Sequence, residues 1–248
     1  MIMVFFSLFM NFAWSAPSIE IQGTQGNYST GDKMTELTVR GQFEPTHSSH
    51  LGVDVGTKQA FGDNAAMIAP FGTMDLSDRL YGSATVLYSA EGLLYPTSSA
   101  SVSLFYKIDE QKKWVFGAGG GRTVYSDSAN EQFATVDVIY YASPWMIIQS
   151  GLRQVHSNPS DKNFQRTYAA LTFFWEQKTF LLRYETGGEA YAVIGNNQQQ
   201  VFDFHSNVFN AALTLPLSKE WSAKVGAEFY KSDYQEKTAG AIAGIYQF

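Results

Sequence analysis

The chain has 248 residues, a formal net charge of -6 and no cysteine. The negative balance argues against a nucleic-acid partner, which calls for a basic face. The missing cysteine removes disulfides, thiolate metal sites, cysteine nucleophiles and an acylated lipoprotein N-terminus.

Aromatic residues reach 15% and charged residues only 16%, against roughly 25% charged in an average soluble domain. No internal stretch approaches the ~20 apolar residues of a membrane helix. Hydrophobicity spread over alternate residues, rather than gathered in blocks, is what a membrane β-barrel produces.

The chain opens with a mostly apolar run, Ile2 to Phe12, followed by Ala13-Trp14-Ser15-Ala16-Pro17. Small residues at Ala13 and Ser15 fit a secretory cleavage site, so residues 1–16 are expected to be a signal peptide and residues 17–248 the barrel domain. No Lys or Arg precedes the run, and an uncleaved buried helix is the alternative.

From there the sequence predicts alternating segments of about 10 residues, the length that crosses a bilayer as a tilted strand. Ser18–Tyr28 is weakly patterned, with Ile19 and Ile21 opposing Glu20, Gln22 and Thr24. Thr35–Phe43 sets Leu37, Val39, Gly41 and Phe43 against Glu36, Thr38, Arg40 and Gln42. Leu51–Lys58 opposes Leu51, Val53 and Val55 to Asp54 and Lys58. Asn64–Met74 is the poorest segment, because Pro70 lacks a ladder donor and the alternation fails.

Leu80–Ser89, Ser98–Ile108, Trp114–Val124, Phe133–Tyr141, Trp145–Val155, Arg166–Trp175 and Thr179–Glu185 follow. Phe209–Leu215, Trp221–Lys231 and the closing Gly240–Phe248 complete the series. The expected fold is all-β, an antiparallel transmembrane β-barrel of about 14 strands, with 12 if weak segments merge.

Connections sort by side. Ala142–Pro144, Glu176–Lys178 and Pro216–Glu220 are short, whereas Ala90–Ser98, Ser126–Gln132, His156–Phe164 and Gly187–Asn207 are longer. Short periplasmic turns and long extracellular loops are the asymmetry of outer-membrane barrels. An aromatic end, Tyr246-Gln247-Phe248, suits a strand finishing in the interfacial girdle.

The polar parity carries Glu36, Arg40, Asp54, Lys58, Lys107, Asp137, Arg153, Arg183, Glu185, Lys224 and Glu228. An Arg or Lys facing hydrocarbon at the midplane costs roughly 2–4 kcal/mol, so these side chains are expected to line the lumen. Both signs occur, which predicts pairing across the lumen. The charges either brace the interior or line a passage for a hydrophilic solute or glycan.

Three chemical readings carry less. His47 and His50 share a predicted turn, but a metal site needs further ligands. His156-Ser157 are adjacent, so on a strand they point to opposite faces. Gly117–Gly121 lacks the Lys-Ser/Thr of a phosphate loop and is read as a bend or as room for neighbouring side chains. No catalytic residue, cofactor or metal is assigned.

The chain resembles the YaiO family of bacterial outer-membrane β-barrels. The resemblance rests on Gly31-Asp32-Lys33, on Lys58-Gln59-Ala60-Phe61-Gly62-Asp63, on Leu94-Tyr95-Pro96 and on the aromatic end. Lys33 and Ala60 stand where family members tend to have Trp and Arg. The resemblance implies a Gram-negative outer-membrane location and a link to exopolysaccharide secretion, and it carries over no catalytic residues.

The expected protein is therefore a monomeric porin-like barrel. Its partners are outer-membrane lipids and lipopolysaccharide, the assembly machinery that reads Phe248, and a glycan or small hydrophilic solute. The alternatives are a lipid- or lipopolysaccharide-modifying enzyme and a structural or adhesive barrel with partner-binding loops.

Overall fold

The computed structural model describes residues 17–90, 94–125, 129–158, 161–189, 192–194, 199–201 and 204–248. The expected signal peptide lies outside the described residues, as do parts of the predicted long loops.

The first strands are β1 (Ser18–Tyr28), β2 (Lys33–Thr46), β3 (Ser49–Ala60), β4 (Asp63–Asp75) and β5 (Leu80–Ser89). Then come β6 (Ser98–Lys107), β7 (Trp114–Val124), β8 (Asn130–Ser143), β9 (Met146–Asn158), β10 (Lys162–Trp175) and β11 (Lys178–Glu189). A short hairpin, β12 (Ala192–Ile194) and β13 (Gln199–Val201), precedes β14 (Phe204–Pro216), β15 (Trp221–Ser232) and β16 (Glu236–Gln247).

Every strand but β12 and β13 joins one closed barrel of 14, each pairing antiparallel with its neighbours in sequence, and β1 pairs with β16 to close it. Closure satisfies every ladder edge, which hydrocarbon requires of a spanning sheet.

Period-two alternation fixes which side chains point out. Along β3, Leu51 and Val55 are exposed while Asp54 and Lys58 are buried. Along β15, Trp221, Val225 and Phe229 are exposed while Lys224 and Tyr230 are buried. Exposed apolar residues recur around the outer wall, among them Ile21, Leu37, Ile68, Val102, Val136 and Ile242.

Tryptophan marks one rim. Trp114, Trp145, Trp175 and Trp221 all sit outward at strand ends on the side that also holds Ser18 and Phe248, here called the terminal end. Trp114 stacks on Tyr140 at 4.2 Å, and Tyr246 lies 5.0 Å from both Trp221 and Phe248. This is an interfacial aromatic girdle.

The strands run further towards the other rim, the loop end, than the sequence pattern predicts. Above Val55 the outward residues become Thr57 and Gln59, above Leu37 they become Thr35 and Lys33, and above Phe209 they become Asn207 and His205. These residues still pair in the ladder. Apolar alternation ends where the bilayer ends, but hydrogen bonding does not.

Loop lengths therefore sort less cleanly than expected. His156–Phe164 is mostly strand, with β9 running to Asn158 and β10 starting at Lys162, and β11 extends to Glu189. At the loop end β3 and β4 are joined only by Phe61-Gly62, both at positive φ (54° and 73°), as a type I′ hairpin requires.

Pro70 sits on the outer face of β4. The ladder to β3 passes through it unbroken, whereas pairing to β5 skips Ala69 and Pro70. Alternation failed there because the inward residues Ala65, Met67 and Ala69 are apolar too, and they are buried in a cluster inside the barrel.

Candidate functional site

The inward parity builds the site. All the charged residues predicted to line the lumen lie on that parity and are buried or half-buried. Many are joined in pairs between neighbouring strands. Arg40 donates to Asp54 through Nε at 2.7 Å and Nη2 at 2.8 Å, across the β2–β3 register. Lys224 reaches over β16 to Glu20 at 2.9 Å, and Lys237 pairs with Glu228.

Arg153 pairs with Glu131 and lies 3.7 Å from the Phe133 ring centre. Arg183 donates to Glu185 at 2.8 Å and lies over Tyr168 at 4.1 Å. The Tyr168 hydroxyl donates to Asp137 at 2.7 Å. Arg166 bridges Glu185 at 2.7 Å and Glu189 at 3.0 Å, and Ser206 also binds Glu189. Lys107 has a different environment, over the Tyr81 ring at 5.3 Å.

Sequence reasoning missed Glu20, Glu131, Arg166, Glu189 and Lys237 as lumen residues. Glu20 shares the polar parity of Gln22 and Thr24, which is the signal that could have found it. Glu131, Glu189 and Lys237 sit near the loop-side ends of strands, beyond the predicted segments, whereas Arg166 opens its predicted segment on the same parity as Tyr168.

Two glycines make room inside. A Cβ at Gly117 would stand 2.6 Å from Cδ1 of Phe105, and one at Gly151 would collide with the Tyr168 ring and Asp137. The glycine run on β7 is thus a seat for neighbouring rings.

At the loop end the lumen is filled. Leu94, Tyr95 and Pro96 from the β5–β6 connection, with Tyr125 and Ala129 from the β7–β8 connection, are buried. They pack with Met34, Phe61, Ala65, Met67 and Ala239 on the wall, and Tyr28, Leu87 and Phe164 pack against them. Two hydrogen bonds hold the first segment, from the Tyr95 hydroxyl to Glu36 at 2.9 Å and from Ser89 Oγ to the Pro96 carbonyl at 2.8 Å.

Lys58 lies 5.7 Å from the Tyr95 ring centre, directly beneath this plug. Burial, reinforced by the Glu36 carboxylate, pushes the Tyr95 phenol well above its ordinary pKa. Burial does the same to Tyr125. Both plug tyrosines are therefore neutral at physiological pH, and Tyr95 donates to Glu36.

The terminal end differs. One half is filled by Tyr81, Phe105, Val115 and Ile139, with Tyr141 and Ile147 against them. The other half is a vestibule of 670 Å³ between β11, β14–β16 and β1–β2, whose wall includes Glu20, Thr179, Thr214, Ser222, Lys224 and Gln247. Arg40 and Gln42 border both this vestibule and a mid-lumen chamber of 160 Å³ walled by Phe133, Asp137, Arg153, Arg166, Tyr168 and Arg183.

The histidines do not converge. His47 lies in the β2–β3 turn, whereas His50 is on β3, 3.4 Å from Gln42 Oε1. His156 is exposed and Ser157 buried, on opposite faces of β9. Among the described residues no three His, Cys, Asp or Glu side chains cluster as metal ligands.

A closed antiparallel wall, an apolar outer band with an aromatic girdle and a charged interior define an outer-membrane β-barrel. Residues 18–192 match the YaiO membrane beta barrel domain, and the chain belongs to that family of the bacterial outer membrane. No curated protein matches the sequence.

Solved structures share the fold at low identity. The Ralstonia pickettii toluene transporter TbuX is 8% identical with a TM-score of 0.63, covering 94% of this chain and 90% of that one. A bacterial polysaccharide outer membrane secretin is 11% identical with a TM-score of 0.58, covering 94% and 99%. The outer membrane protein Omp33 of Acinetobacter baumannii is 12% identical with a TM-score of 0.54, again covering 94% and 99%.

Proposed function

We propose that this protein is a plugged conduit for a hydrophilic solute or glycan across the outer membrane. The single observation that carries the reading is a polar terminal-end vestibule that shares Arg40 and Gln42 as wall with a mid-lumen chamber. At the loop end an apolar plug built from two connections fills the lumen. Strand ends and girdle do not need such cavities, and a barrel meant only to be inert could fill them with apolar side chains.

The longer connections assign the plugged end to the cell exterior and the vestibule to the periplasm. The polar wall favours a hydrated cargo over an apolar one, since an apolar cargo gains little from a wall of paired charges. Relatives in fold include a polysaccharide secretin, which agrees with a glycan cargo and with the exopolysaccharide link that the family resemblance implies. Passage requires no bond-breaking chemistry, and His156 and Ser157, on opposed faces of β9, do not form a nucleophile–base pair.

This reading gives the protein membrane lipids and lipopolysaccharide as surroundings. It also leaves Phe248, 70% exposed at the terminal rim, available to the assembly machinery. The test is conductance in planar bilayers. Wild type should conduct weakly, and the double variant Leu94→Ser/Tyr95→Ser should raise conductance at least tenfold while keeping its heat-modifiable mobility. A folded double variant that conducts no better than wild type would remove the conduit.

A further inference from the structure

We infer that the terminal-end vestibule is a binding site for an uncharged, hydroxyl-rich glycan segment, an inference that rests on the conduit reading and names its cargo class. Size comes first. At 670 Å³ the vestibule falls within the roughly 300–1,000 Å³ of small-molecule sites.

Charge comes second. The cations on its inner wall are already matched: Lys224 holds Glu20 at 2.9 Å, and Arg40 holds Asp54 through two nitrogens. Lys219, in the β14–β15 connection, adds a cation at the mouth, but an anionic ligand reaching the inner wall must displace Glu20 or Asp54 from a charge-assisted bond. Such bonds are about twice as strong as neutral ones. An uncharged ligand has no such competitor.

The remaining wall supplies what a sugar chain uses. Thr179, Thr214 and Ser222 contribute hydroxyls, and Gln177 and Gln247 contribute side-chain amides, all bordering the same space. Hydroxyls both donate and accept, and each amide offers two donors and a carbonyl acceptor. That mixture matches the alternating donors and acceptors of a polyol. Apart from Lys219 at the mouth, it has no surplus of donors, as an anion site would, and no surplus of acceptors, as a cation site would.

Position supports the same assignment. The vestibule opens at the terminal rim and its inner border, Arg40 and Gln42, is the wall of the next chamber. A segment bound here therefore lies next to that chamber. Thr179 on β11 and Ser222 on β15 flank Thr214 on β14, two of them in direct register as Thr179↔Thr214, so the hydroxyl face is held by sheet hydrogen bonds and is formed before any ligand arrives.

The experiment uses the purified full-length barrel in nanodiscs and two probes of equal length, cellotetraose and tetragalacturonate, followed by calorimetry. Cellotetraose should bind at least tenfold more tightly than tetragalacturonate at low salt. The variant Thr179→Val/Thr214→Val, which keeps shape and removes two hydroxyls, should weaken cellotetraose at least tenfold. Asn27→Ala, on the outer face of β1, should leave binding unchanged. Equal or tighter binding of tetragalacturonate, or indifference to the hydroxyl deletions, overturns the assignment. The plug variant's conductance is read separately. Conductance without the saccharide preference defeats this inference alone, whereas saccharide binding with no conductance in a folded plug variant defeats the conduit and leaves the binding site standing.

Discussion

The two ends of the lumen are built from the same strands yet solve opposite problems. At the loop end, Leu94, Tyr95, Pro96 and Tyr125 leave the wall and bury themselves over Glu36 and Lys58. At the terminal end, the short connections stay at the rim and leave a polar vestibule beside a half-filled floor. The difference teaches that openness is set by where the connections go, and much less by strand number.

The sharpest way to break that comparison is to loosen one end at a time. The Leu94→Ser/Tyr95→Ser double variant is expected to raise bilayer conductance at least tenfold, whereas Leu217→Ala/Ile245→Ala at the vestibule should change it less than twofold. Equal responses at both ends would mean that the plug is not the barrier.

Next in size is the pair between the two ends. Asp54→Asn strands the Arg40 guanidinium inside the barrel, and removing one partner of a buried pair costs about 3–5 kcal/mol. Urea unfolding in detergent should report that loss, and Arg40→Met/Asp54→Leu should recover most of it.

The outer wall distinguishes mid-bilayer from loop end. Val225→Arg, in the apolar band, should destabilise by roughly 2–4 kcal/mol, and Thr57→Arg, above it, by about 0–1 kcal/mol. Equal costs would show that the polar loop-side strand ends lie within hydrocarbon after all.

Smallest is Tyr95→Phe, which deletes only the hydroxyl donating to Glu36. The Tyr95 ring and Leu94 stay packed in the plug, so this variant should open more often than wild type but less than the double variant. Single-channel recording measures the open fraction.

The barrel was legible because its physics is local. A side-chain period of two and an apolar band set by bilayer thickness are both written in consecutive residues, so Trp221–Lys231 announces its lipid face unaided. Asn64–Met74 did not, since an inward Met67 and Ala69 erase the contrast on which the pattern depends. Glu131, Glu189 and Lys237 were overlooked because their strands continue in water, where no apolar alternation marks the ladder.

By itself, the sequence determined an all-β wall of 14 strands, the parity of its charges and the aromatic rim, each a property of neighbours along the chain. The tertiary structure alone decided that Tyr95 reaches Glu36, that Lys224 pairs with Glu20 across β16, and that Arg40 and Gln42 wall both the vestibule and the chamber. Those contacts depend on strand register around a closed ring and on connections folding inward. Both are set by how the whole barrel shuts, and no segment carries them alone.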